Sequence, residues 1–486
     1  MIVRSAAPVD SPRSPVRAAG HLLAEQGYAA VLQTCRGLHG SEGRFQPFID
    51  ETRDGADLLE WVAAQPWFQP PLVVGGFGYG AHAAWAVLAA EQTRVDGIVA
   101  GFAPRDPHAW LHADRALRLD LAFELAVALA SAETEPTRRP DLERAFSFRP
   151  LREADRVALR RIEWWREWLD HPRRDAYWEE RSPQPSQIPG AALLIGGFGH
   201  PALAGQLDDY ARLRRASEGP CSVRLLVGPW RGERGRRQRR HRAAFRSEAA
   251  RCVLTFLDAL CGRDEQRATS PVRAFVGGAG RWCDAPGWPP SETVEQVFYL
   301  GGDGRAEGGL AEDPPTAEDA VDRFVYDPAD ATPHAEPPGP CRGDVLRYAT
   351  EPFDRPTELA GRPRVVLFAS SSAARTDFVA RLVEISPEGG ATPIGEGLAR
   401  DRLREGNGGE PERIEIELDP AWHRLEAGTR LGLEVSSSSH PTYDRHPNTD
   451  EPPARARDAD GKPALQKVWH DPRRASCVLL PVLRAH

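Results

Sequence analysis

The chain has 486 residues, 41% of them hydrophobic and 27% charged, with a formal net charge of −8. That apolar content excludes a disordered chain, and the length calls for two to four domains, each large enough to bury a core. The acidic balance excludes nucleic-acid binding by the protein as a whole, and no apolar run is long enough to cross a membrane.

The seven cysteines run from Cys35 to Cys477 without a CxxC pair, so they form neither a disulfide framework nor a zinc site and read as inert thiols. The N-terminal segment lacks the apolar centre of a signal peptide, so a soluble cytoplasmic protein is expected. Lysine occurs only at Lys462 and Lys467, while Ala, Arg, Gly and Pro are heavily used. This is the residue bias of a GC-rich genome, and a bacterial source is expected.

Strand and helix signals alternate over the first hundred residues. Strands are predicted at Met1–Ser5, Tyr28–Gln33, Pro71–Val74 and Val95–Ala100. Helices are predicted at Arg17–Gly27, Asp50–Ala64 and Ala81–Ala90. The alternation implies a parallel sheet covered by helices on both faces. Residues 105–186 read differently: they are helical throughout, clearest at Leu117–Leu129 and Ala158–Leu169, with Trp164, Trp165 and Trp168 either packing the core or lining an apolar pocket. A Pro-rich stretch, residues 182–189, closes this inserted unit. The alternation resumes with Ala191–Ile195, Pro201–Arg215, Ser222–Val227 and His241–Leu260. From residue 271 onward short strands follow one another, beginning at Val272–Val276, separated by Gly- and Pro-rich loops, as in a jelly roll. The expected division is a core of residues 1–104 and 187–270, a helical cap of residues 105–186, and a C-terminal jelly roll of residues 271–486.

The turn Gly76-Phe77-Gly78-Tyr79-Gly80 between strand and helix has the form of a nucleophile elbow, G-x-S-x-G, with glycine at the centre instead of serine. A glycine-rich turn of this kind also suits a phosphate, but G-x-G-x-x-G is matched only loosely and no acidic residue stands clearly in place about twenty residues on.

Several segments together resemble the cocaine-esterase and X-Pro dipeptidyl-peptidase family of α/β-hydrolases. They are Tyr28–Gly37 with Ser41-Glu42-Gly43, Asp54–Trp61 with Gln65-Pro66-Trp67, Gly228-Pro229-Trp230, Asp344–Tyr348, Thr376-Asp377-Phe378, and Ser436–Arg445 followed by Asn448-Thr449. The resemblance spans nearly the whole chain and implies an α/β-hydrolase core, a helical cap and a C-terminal jelly roll. The family has two strands ahead of the one at Met1–Ser5, so an open sheet edge is expected here.

The family's activity is acyl transfer by a Ser-Asp-His triad, with a tyrosine hydroxyl and a backbone N–H holding the oxyanion. Its "GxSY" falls on Gly76–Tyr79, with Trp85 further along the helix, and puts the serine position at Gly78. Its "GGWYD" falls on Gly196–His200 and puts the aspartate position at His200. Its "GPWxH" falls on Gly228–Gly232 and puts the histidine position at Gly232. The oxyanion tyrosine falls on Ala7, leaving the Tyr79 backbone as the other oxyanion donor. The resemblance therefore implies a family member without its triad, acting as a binding or accessory protein. The alternatives are an enzyme repurposed as a lyase, cyclase or isomerase, and residual ester or amide hydrolysis.

Phe77, His82, Phe198 and Trp230 are candidate pocket residues. His82 and His200 either form a functional pair or serve packing and loop roles, and a metal is not expected. The basic run from Arg231, including Arg234, Arg236 and Arg237, either binds an anion or is a solvated loop, with His241 as a displaced base. Ser41, Asp208 and Asp209 read as structural. No cofactor is expected. The expected partner is a small acyl-type ligand or another protein, with homo-oligomerisation left open.

Overall fold

The structure, a computed structural model, describes residues 1–90, 95–136, 138–185, 189–216, 223–231, 238–263, 270–302, 307–331, 342–403 and 410–484, with residues 238–244 and 246 described in backbone only. The described residues form three units, a sheet-centred core, a helical cap and a β-sandwich with a sheet of its own.

Four strands open the chain: β1 (Ile2–Ser5), β2 (Val31–Thr34), β3 (Val73–Phe77) and β4 (Gly97–Gly101). The cap contributes a two-residue hairpin, β5 (His112–Ala113) and β6 (Ala116–Leu117). Then come β7 (Ala191–Gly197), β8 (Val223–Gly228), β9 (Val272–Val276) and β10 (Arg281–Ala285). The main sheet runs in the order β10-β9-β8-β7-β4-β3-β1-β2. Every pairing is parallel except that of β10 with β9. Both faces of a parallel sheet are covered, so its strands carry apolar side chains on each. Val74, Ile98, Ala192 and Leu194 face helices α2 (Glu51–Ala63) and α3 (Tyr79–Leu88). Val73, Val99, Leu193 and Ile195 face the opposite layer with Leu23 of α1 (Pro15–Glu25).

The strand at Val272–Val276 is a correction to the sequence reading, which grouped it with the C-terminal strands. Leu225, Leu226 and Val227 of β8 pair with it in parallel, so it continues the first sheet. A strand's amino acids announce its conformation but not its partner. β2 ends the sheet among the described residues, and a groove of about 550 Å³ runs beside it, lined in part by Arg36, Asp54 and Trp61.

The cap holds α4 (Pro107–Leu111), α5 (Leu119–Glu133), α6 (Leu142–Ser147), α7 (Ala154–Ala158), α8 (Glu163–Asp170) and α9 (Ala176–Arg181). The single helix expected at Ala158–Leu169 is broken between α7 and α8. Buried Asp155 accepts the Ile162 N–H at 2.9 Å and two N–H groups of Arg166 at 3.1 Å, and this bonding holds the chain in a bend. Trp165 and Trp168 are fully buried, which decides for core packing over a pocket wall. The chain returns to the core through helices α10 (Leu203–Ala216) and α11 (Gln238–Leu260).

Residues Thr293–Leu483 form a separate β-sandwich with its own apolar core, including Phe298, Leu367, Leu382 and Leu433. It is joined to both other units. Gly277 donates to Trp422 O at 2.9 Å and accepts from Arg424 N at 2.8 Å. Leu117 N donates to Asp444 Oδ1 at 2.9 Å, and Asp120 N to Pro441 O at 3.0 Å. No helix among the described residues is long and apolar enough to cross a membrane.

Candidate functional site

The bend between β3 and α3 depends on three glycines. A Cβ on Gly76 would lie 2.5 Å from the backbone of Gly80, and one on Gly80 would lie 2.8 Å from the Arg4 carbonyl oxygen, so neither position accepts a side chain. Gly78 caps α3 with φ +55 and ψ −126, a backbone region that glycine enters freely. Its N–H donates to Gly101 O at 2.8 Å. A Cβ built there meets no atom of the described residues within 4 Å, so among those residues the space before the bend is open. Tyr79 is the first residue of α3, and N–H groups in a first turn have no partner within the helix. The bend therefore offers a positive helix end and an open space, but no side chain that could attack a carbonyl.

Behind the bend, α3 is pinned by a buried polar cluster. The Tyr79 hydroxyl donates to the Glu51 carboxylate and accepts the Phe48 N–H at 3.0 Å. Arg4 Nη1 donates to the Glu51 backbone oxygen at 2.6 Å. Burial pushes the Glu51 carboxyl up from 4.5 to about 7. Between those values the folded chain keeps a proton that the unfolded chain has lost, so this group lowers stability as pH rises through that window. Replacing Glu51→Gln removes the effect. The stability of the variant relative to the parent is expected to rise by about 3 kcal/mol from pH 4.5 to pH 7, read from urea midpoints. A pH-independent difference would contradict this assignment.

His82 does not line an open pocket, contrary to the sequence reading. It is 1% exposed, with its ring 4.7 Å from Phe48 and 5.9 Å from Tyr79. Burial pushes it down to about 3, so it is neutral at physiological pH. His200 lies elsewhere, in the loop after β7, with its ring 4.9 Å from Phe102. The two histidines thus sit in different contact sets. No cluster among the described residues could hold a metal ion. His200 Nδ1 accepts the Ala202 N–H at 3.1 Å, so the neutral ring carries its proton on Nε2. Burial and the nearby charge of Arg118 push His200 down to about 4. It is therefore a neutral N–H donor, a role opposite to that of a carboxylate.

An aromatic wall joins His200 to the bend. Phe77, 45% exposed, lies 6.3 Å from Phe102 and 5.9 Å from Phe245. Trp230 packs against Phe245 at 4.8 Å. Phe198 faces the β-sandwich side instead, 5.7 Å from Trp288. Phe102 holds a φ of +56, a conformation rare for an aromatic residue, and is locked by its N–H to Ile195 O at 3.0 Å. Sequence reasoning missed Phe102 and Phe245. Phe102 could have been found from its place immediately after β4, at the carboxyl end of a parallel sheet where ligands bind.

Ala7 supplies no donor, because its side chain is a methyl and its N–H is taken by Ser5 Oγ at 2.9 Å. Arg231 Nη2 donates to Pro393 O at 2.6 Å, tying the core to the β-sandwich. Gly232, Arg234, Arg236 and Arg237 lie outside the described residues, as does the side chain of His241. Asp208 pairs with Arg362 at 2.7 Å, and Asp209 accepts the Arg105 N–H at 2.7 Å.

Comparison with known proteins adds the following. Residues 4–231 match the X-Pro dipeptidyl-peptidase (S15) family, and residues 265–479 match the X-Pro dipeptidyl-peptidase C-terminal non-catalytic domain. A cocaine esterase of Rhodococcus sp. is 30% identical, over 94% of this chain and 88% of its own. A putative serine esterase of Mycobacterium bovis is 24% identical, over 79% of this chain and 70% of its own. Among solved structures, an aminopeptidase from a marine-sediment Thaumarchaeota archaeon matches with a TM-score of 0.84 at 21% identity, over 99% of this chain and 91% of that one. An α-amino acid ester hydrolase matches with a TM-score of 0.82 at 22% identity, over the same shares. Likeness at that level of identity speaks for the fold alone.

Proposed function

Because the chain belongs to the cocaine-esterase and X-Pro dipeptidyl-peptidase family of α/β-hydrolases, we propose that it keeps that family's scaffold and ligand cleft, has given up acyl transfer through serine, and works as a non-hydrolytic binding or accessory protein. The observation that carries this reading is the bend itself. Gly78, at the position where the family's serine is expected, has the left-handed φ of a sharp elbow, open space in front of it, and only a hydrogen atom where a hydroxymethyl group belongs.

His200 supports the same reading. At the position expected for the aspartate stands a neutral ring that donates from Nε2, and such a group cannot stabilise an imidazolium. Glycine at position 232 leaves no general base where the motif calls for one. The aromatic wall around Phe102 favours binding of an apolar, acyl-type ligand.

The test is covalent labelling. A fluorophosphonate probe reacts with an activated serine in a hydrolase cleft. The purified chain is expected to remain unlabelled under conditions that label a competent esterase to completion. Stoichiometric labelling at any serine lining the cleft would falsify the proposal.

A further inference from the structure

We propose that the open edge of β2, with the groove of about 550 Å³ between it and α2, is a docking site for an extended, arginine-bearing segment of a partner protein, which joins the sheet as a further strand. The site is separate from the cleft at Gly78 and does not depend on whether that cleft is hydrolytic.

Among the described residues β2 pairs with β1 alone, in parallel, with Ile2 opposite Val31 and Ser5 opposite Thr34. Val31 N–H donates to Met1 O and Cys35 N–H to Ser5 O, each at 2.9 Å. Successive peptide groups of a strand alternate in direction, so the N–H and C=O groups of Leu32 and Thr34 point to the other edge. No backbone partner meets them there among the described residues. Proteins usually blunt such an edge with lysine, proline or a bulge. Val31-Leu32-Gln33-Thr34 carries none of these, and all four residues are half-buried.

The far wall of the groove is one face of α2. Asp54, Asp57, Leu58 and Trp61 recur there at helical spacing. Trp61 is 52% exposed, with Trp67 beside it at 6.3 Å. The charges of the lining are Arg4, Arg36, Glu42, Asp54 and Asp57. Asp54 already serves both arginines, at 3.3 Å from Arg4 and 3.1 Å from Arg36. Asp57 and Glu42 make no ion pair among the described residues. Asp50, one turn before Asp54, adds its charge at Arg36. The lining therefore carries one net negative charge and Asp50 a second. Exposed Arg44 lies outside the lining, and Arg53 and Glu60, two turns apart on the flank of α2, offset each other.

This pattern selects the occupant. Asp57 and Trp61 stand one helical turn apart, so a guanidinium entering the groove meets a carboxylate and the face of an indole together. Side chains two apart on an added strand share a face, which suits alternating arginines. A second copy of this chain does not fit: β2 against β2 supplies no cation from Val31-Leu32-Gln33-Thr34 and sets two acidic α2 faces toward each other.

The experiment is fluorescence anisotropy of a labelled hexapeptide of alternating arginine and threonine, titrated with the full chain at physiological salt. One control peptide has glutamate in place of arginine. The other has proline in place of threonine, which keeps the charge and removes alternate N–H groups. The arginine–threonine peptide is expected to bind at least about tenfold more tightly than either. Asp57→Lys should weaken it at least about fivefold and Trp61→Ala about threefold, both at exposed positions. Thr34→Pro, which removes an outward N–H, should abolish the advantage over the proline peptide. If Thr34→Pro does not fold, the proline peptide carries that test by itself. Equal binding of the arginine and glutamate peptides would overturn the proposal, and so would equal binding of the threonine and proline peptides, which would leave charge alone. No binding at about 0.3 mM chain, or unchanged binding in both Asp57→Lys and Trp61→Ala, would overturn it too. Sedimentation of the chain alone tests the other occupant: a monomer supports the peptide site, whereas a dimer that Thr34→Pro dissolves would assign the edge to a second copy and overturn it.

Discussion

Joint replacement of Gly78→Ser, His200→Asp and Gly232→His is expected to raise hydrolysis of activated aryl esters by at least about 10³-fold over the unmodified chain, because the three groups of a triad act as a unit and most of the rate depends on all of them. The bend is prepared for the first change: a Cβ on Gly78 meets no atom of the described residues within 4 Å, and the N–H of Tyr79 follows at the head of α3. The conformation at Gly78 costs a non-glycine residue about 1–3 kcal/mol, so a lower unfolding midpoint should accompany the gain. Gly78→Ser alone is expected to gain little, lacking a base to take its proton. The measurement is initial rate on a nitrophenyl ester, with fluorophosphonate labelling as the readout of the nucleophile. A folded triple variant that neither labels nor turns over would show that these three positions do not converge.

Replacing Arg400→Met is expected to cost about 3–5 kcal/mol, read as a fall in the urea midpoint, because it leaves two carboxylates buried without their cation. Arg400 is fully enclosed. Its Nη2 donates to Asp377 Oδ2 at 2.7 Å, and its Nη1 to Asp444 Oδ1 at 2.8 Å. The same Asp444 oxygen accepts the Leu117 N–H from the cap hairpin, and the Arg400 N–H donates to Asp114 in that hairpin's turn. The loss should therefore also loosen the cap from the β-sandwich and increase hydrogen exchange at Leu117. Adding Asp377→Asn and Asp444→Asn is expected to recover much of the stability, since the charges are then removed together. A loss below about 1 kcal/mol would mean that water reaches the cluster.

Contiguous signals were legible in the sequence. The glycine spacing around Gly78, the apolar run of β3 and the motif ending at His200 each lie within about ten residues, and each reports a local backbone requirement. The layers and the inserted cap followed from the same alternation of periods. What failed was long-range choice. Residues 272–276 have a strand's amino acids, but pairing with β8 instead of the sandwich depends on packing over the whole core. The break at Leu159 depends on buried Asp155 taking the Ile162 N–H, and nothing in the helical period foretells this. The joints between the units were illegible for the same reason. Leu117 meets Asp444 and Gly277 meets Trp422 across hundreds of residues of chain, and no local pattern pairs them. His82 erred the other way: one helical turn from Gly78 suggested the cleft, but that face of α3 is turned to Phe48.

The pairing of Gly277 with Trp422 and Arg424, together with the Leu117–Asp444 and Asp120–Pro441 bonds, bears on how the molecule can be divided. A truncation after Ala285 would look harmless on a map of the chain, since it spares every strand of the first sheet. It would nevertheless remove Asp444 and Tyr443 and strip the backing from the cap hairpin. The smallest fragment that keeps the cap in place includes the sandwich, and attempts to dissect the protein should begin from that whole.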